Sequence, residues 1–151
     1  MANTQAMCTS FKGELLVGHH NFGTGVIRAA TTADTFKAAL YLASATVNAA
    51  TTAYSSTNEV SGTGYTAGGV TVTFGTAPST SGTTAFVTPS ASITYSAVTL
   101  STAFDAVLIY NSTQSNKAVS VHTFGSQTVT AGTFTLTMPT NDASTGLIRI
   151  A

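Results

Sequence analysis

From Thr35 onward the chain is written in short runs whose apolar residues recur at every second position, bounded by Gly, Ser, Asn or Pro. A period of two puts alternate side chains on opposite faces of an extended backbone, so the pattern predicts half-buried β-strands. It is clearest at 70–74 (Val-Thr-Val-Thr-Phe) and 134–138 (Phe-Thr-Leu-Thr-Met), with apolar side chains inward and threonines outward. The stretch 36–42 reads as a strand with Phe36, Ala38, Leu40 and Leu42 on one face, although its Ala and Lys also suit a helix. Residues 106–110 (Ala-Val-Leu-Ile-Tyr) are apolar on both faces, as in a central strand, and the polar run 111–116 then leads into 117–124, which predicts a hairpin. Shorter candidates at 85–88, at 93–100 with a break, and at 147–150 bring the total to about eight strands.

This pattern predicts an all-β antiparallel sandwich over 34–151, with jelly-roll-like connections as one option. It is preceded by an N-terminal arm, 1–33, carrying one short helix and a loop. The helix is expected over 10–18, with Thr9 or Ser10 as its cap, Phe11 and Leu15 four apart, and Gly18 as its stop. The Ser/Thr/Gly-rich run 75–84 reads as a long loop between strands. No composition break marks a linker, so the chain is expected to form one structural unit.

Charge narrows the function classes. Only 7% of the 151 residues are charged, against roughly 25% in an average soluble protein. No window approaches the ~18 consecutive apolar residues of a spanning helix, so no membrane partner is expected. Eight Phe, five Tyr and abundant Thr and Val argue against disorder. Five basic residues balance five acidic ones, which leaves no basic patch able to neutralise several phosphates, and no nucleic-acid partner is expected. Cys8 is the only cysteine and cannot form an internal disulfide, and the start Met-Ala-Asn-Thr-Gln lacks the basic and apolar regions of a secretory signal. Synthesis in a cytoplasm without export is the expectation. Between Lys37 and Asp105 the only charge is Glu59. Such a surface is either hydrated by hydroxyls or covered by other subunits, and strand edges this neutral invite pairing unless something covers them. A closed homo-oligomer, with a trimer favoured, is one way to cover them.

The tempting motifs are weak on inspection. The run 62–67 (Gly-Thr-Gly-Tyr-Thr-Ala) fits the dinucleotide fingerprint in form, but a strand follows it instead of a helix, and 60–104 contains no Asp or Glu to meet a ribose. His19 and His20 are adjacent and diverge, His122 is remote, and Cys8 has no ligand spacing around it, so no metal residue is assigned. No GxSxG elbow appears and the carboxylates are scattered singly, so no catalytic residue, cofactor or enzymatic activity is expected. The sequon at Asn111 reads more simply as turn chemistry. Tyr54, Tyr65 and Tyr95 could offer stacking faces to a glycan, but sheet or core positions are the preferred reading.

Several stretches resemble small virion proteins of tailed bacteriophages. They are 34–41 (Asp-Thr-Phe-Lys-Ala-Ala-Leu-Tyr), 58–69 (Asn-Glu-Val-Ser-Gly-Thr-Gly-Tyr-Thr-Ala-Gly-Gly), 106–111 (Ala-Val-Leu-Ile-Tyr-Asn), 115–119 (Ser-Asn-Lys-Ala-Val) and 146–149 (Gly-Leu-Ile-Arg), with 10–12 (Ser-Phe-Lys) near the start. The block 58–69 is the most specific of them. The resemblance implies a structural component of the virion, a head decoration or cement subunit bound over the major capsid protein lattice. A head-fibre, neck or tail component, or a glycan-binding module of the virion, is the alternative.

Overall fold

A computed structural model describes residues 3–8, 10–11, 15, 18–23 and 33–150. Within these, eight strands form two antiparallel sheets, an all-β architecture consistent with a sandwich. The strands are β1 (Ala6–Met7), β2 (Phe36–Leu42), β3 (Val70–Val72), β4 (Ser79–Ser81), β5 (Thr84–Val87), β6 (Ile93–Asn111), β7 (Lys117–Leu136) and β8 (Ile148–Ile150). They divide five and three, in the orders β1-β7-β6-β2-β3 and β4-β5-β8. The short helix expected over 10–18 lies mostly outside the described residues; of its stretch Ser10, Phe11 and Leu15 are described and are helical. Gly18 does close a turn there, with φ 70° and its N–H donated to the Leu15 carbonyl at 3.1 Å.

Strand β2 falls where the alternation placed it, between β3 and β6, but both of its faces are enclosed, with Ala39 and Tyr41 buried as well as Phe36, Ala38 and Leu40. The hairpin also forms as the sequence suggests, with β6 ending at Asn111 and β7 starting at Lys117. Its strands are far longer than expected, 19 and 20 residues, because 93–100 and 106–110 are one strand, and 117–124 and 134–136 another. The apparent break is a bulge. Ile93 and Tyr95 are buried, then Val98 and Leu100, and the extra residue at Ala97, φ 53°, resets the phase of the alternation. A local change of period in the sequence therefore marks a bend in one strand, not the end of it.

The stretch 75–84 is not all loop. Its residues 79–81 form β4, which turns through Gly82 (φ 56°) and Thr83 into β5, a tight connection that needs a positive φ. β3 stops at Val72, two residues short of the alternating run, although Phe74 remains buried.

The core is continuous across the five-stranded sheet. On one side Phe11, His20, Phe22, Phe36 and Phe74 pack ring against ring at 4.7–6.4 Å. Along the hairpin, Phe104, Phe124 and Phe134 form a second aromatic group at 5.0–5.9 Å. Edge-to-face contacts of this kind add about 0.5–1.5 kcal/mol each beyond area burial.

Candidate functional site

The one charge in the neutral block organises the middle of the molecule. Glu59 is only 8% exposed and its carboxylate accepts three hydrogen bonds, from the Tyr54 hydroxyl (2.7 Å), the Tyr65 hydroxyl (2.7 Å) and the Gly68 N–H (2.8 Å). All five tyrosines of the chain gather around it. Tyr54 stacks on Tyr110 and Tyr65 on Tyr95, while Tyr95 and Tyr110 donate to the carbonyls of Ala38 and Gly68. Burial raises all five hydroxyl pKa values, Tyr41 to about 12, with the Glu59 charge adding to the rise. A carboxylate with this many donors is satisfied in place, so it fastens a segment instead of standing ready to react.

That segment is 43–69, a strap between β2 and β3. It pairs along β2, where Val60 N–H meets the Leu40 carbonyl at 2.9 Å, and then reaches β6, where Thr99 N–H meets the Thr63 carbonyl at 2.9 Å. Here the glycines of 62–67 find their use. A Cβ on Gly62 would stand 2.1 Å from the Thr99 carbonyl oxygen, and one on Gly64 2.3 Å from that of Ala97. Their smallness admits the β6 backbone, and no helix follows them to cradle a phosphate.

The other edge of the hairpin is treated differently. β7 is covered at its start: Ala118 N–H bonds the Thr52 carbonyl, Cys8 N–H bonds that of Val119, and β1 pairs with Ser120 and Val121. From His122 to Leu136 it has no further strand beside it among the described residues. The sequence from 118 to 141 contains no Asp, Glu, Lys or Arg. Natural edges are usually guarded by charge, Pro or bulges. This one has only register shifts, around 124–126 and at 130–131, where Ala131 has φ 45°. They leave 132–136 (Gly-Thr-Phe-Thr-Leu) as a regular, open stretch, with Thr133 and Thr135 exposed and Phe134 and Leu136 half-buried. This neutral arm is the candidate interaction surface.

The remaining sequence candidates fall elsewhere. His20 packs on Phe11 and its Nδ1 lies 3.2 Å from Asn111 Nδ2, which also donates to Asp34 at 2.8 Å. The Asn111 carboxamide oxygen accepts from the N–H groups of Thr113 and Gln114 at 3.1 Å, and the side chain is fully buried, so the sequon is consumed by the turn. His122 is separate, on β7, with Nε2 2.9 Å from the Ser120 hydroxyl; burial lowers its pKa to about 4. No group of three metal-ligating side chains occurs among the described residues. Of the tyrosines weighed for glycan stacking, Tyr95 is 2% exposed with its ring against Tyr65 and Phe134. Sequence reasoning missed the Glu59 cluster. Its one signal was the isolation of that charge, and the partners come from 41 to 110.

Comparison with known proteins found no matching family model, no similar curated protein and no similar solved structure.

Proposed function

We propose that the chain is a structural subunit of a tailed-phage virion, a head decoration or cement protein that binds over the major capsid protein lattice and stabilises the shell. The observation that carries this reading is the open, charge-free outer edge of β7 over 122–136. A cement subunit spreads over neighbouring capsomers, where buried charge is costly and backbone pairing is available at any exposed edge. Many weak contacts of this kind, repeated by copy number and by a closed homo-oligomer with a trimer favoured, give avidity without any one strong site. The resemblance of 58–69 to small virion proteins supports the same assignment. Its place is then the phage head, after synthesis in the host cytoplasm, and its role requires no cofactor, metal or catalysis.

Quantifying the protein in purified particles tests this. A copy number that scales with the major capsid protein is the expected result. A few copies per particle, or retention on isolated tails alone, would overturn the head assignment in favour of a head-fibre, neck or tail component. Signal on a glycan array would instead favour a receptor-binding module.

A further inference from the structure

Two compartments meet at His122. One, of about 310 Å3, is bordered by Gln5 before β1, by Thr145 in the turn preceding β8, and by Arg149 on β8. The other, of about 120 Å3, is walled by Ile93, Phe124, Leu136 and Met138. His122 and Leu147 line both, so they form one cleft with a polar end and an apolar end. Among the described residues Arg149 has one hydrogen bond, to the Ala143 carbonyl at 3.3 Å, out of the five donors a guanidinium carries. The carboxylate facing it, Asp142, is taken up by the Thr145 hydroxyl at 2.8 Å and by the N–H groups of Ser144 and Thr145 at 2.7 Å. With the Thr145 hydroxyl and the turn amides spent on Asp142, the polar end offers the Arg149 guanidinium and the Gln5 side-chain amide, donors that suit a carboxylate.

Size decides what the carboxylate is attached to. A cavity of about 150 Å3 is enough for a benzene ring, so the apolar end, at about 120 Å3, suits a side chain of leucine or valine size. The polar end has room for a carboxylate and the peptide group before it. We propose that this cleft binds the C-terminus of a polypeptide ending in a medium aliphatic residue, with the terminal carboxylate at Arg149 beside Gln5 and the last side chain between Phe124, Leu136 and Met138. The cleft shares His122, Phe124 and Leu136 with the β7 arm but engages their side chains and not the strand's backbone edge, so it is tested apart from the virion reading.

The test is an NMR titration of the full chain with the acetylated tripeptide Gly-Thr-Leu. Expected are saturable shifts at His122, Leu147 and Met138, about tenfold weaker binding of the same peptide as its C-terminal amide, and weaker binding again when Leu is replaced by Ala. R149Q should weaken the free acid about tenfold and leave the amide unchanged. Equal affinity of acid and amide, shifts mapping away from His122 and Leu147, or binding of N-acetyl-leucine with exclusion of the tripeptide would each overturn the proposal. The ligand-side comparisons need no variant, so they decide the matter even if R149Q fails to fold.

Discussion

The two ends of the β6–β7 hairpin are made from the same two strands and have opposite fates. Near the turn, β6 is paired with β2 from Phe104 to Asn111, β7 is covered from Lys117 to Val121, and nearly every residue is buried. Farther out, β6 keeps the strap beside it, bonded at Ala103 and Thr99, whereas β7 has no cover among the described residues and 125–128 are all exposed. What differs is the neighbours, not the secondary structure. A strand's stability is set by the side chains and backbones beside it, so one ribbon can be core at one end and contact surface at the other.

The comparison breaks most visibly with Phe104→Ala. This ring is fully buried and packs edge-on against Phe124 and Phe134, where the two halves join, so its loss should cost about 3–5 kcal/mol in denaturant unfolding. Glu59→Ala comes next, at about 2–4 kcal/mol, because it strands two tyrosine hydroxyls and the Gly68 N–H; Glu59→Gln should cost less. Gly64→Ala should cost about 2 kcal/mol, since its φ of 77° and the Ala97 carbonyl both oppose a Cβ, and hydrogen exchange at Thr99 should accelerate as the strap lifts.

A pH-dependent effect sits at the border of the two halves. His122 has a folded pKa of about 4 against an ordinary 6.5, so between those values the unfolded chain binds more protons. Stability should therefore fall as pH drops from about 6.5 towards 4, by at most about 1.4 kcal/mol per pH unit, and His122→Gln should flatten the slope. Smallest of all is Thr133→Lys on the open edge. It should move stability by no more than about 0.5 kcal/mol while reducing association of the particle-bound form, and a large loss of stability would mean that this edge is not free.

Several elements were legible in advance for a local reason. The strand 36–42, the 111–116 turn and the all-β class follow from side-chain periodicity and turn residues, which act within a few positions. β1 and β4 were not anticipated, because two or three residues pair only where a neighbouring strand is already in place. The fusion of 93–100 with 106–110 was hidden for a related reason: a bulge looks like an ending when its partner strand is unknown.

By itself, then, the sequence determined an alternating, turn-punctuated chain with almost no charge, because hydrophobic period and composition are properties of neighbouring positions. The tertiary structure alone decided that Glu59 would draw five tyrosines from across the chain and that the glycines of 62–67 would admit a strand. It also decided that β6 would be covered where β7 is left open. Each of these depends on residues far apart in sequence being brought to within a few ångströms, and no local pattern carries that information.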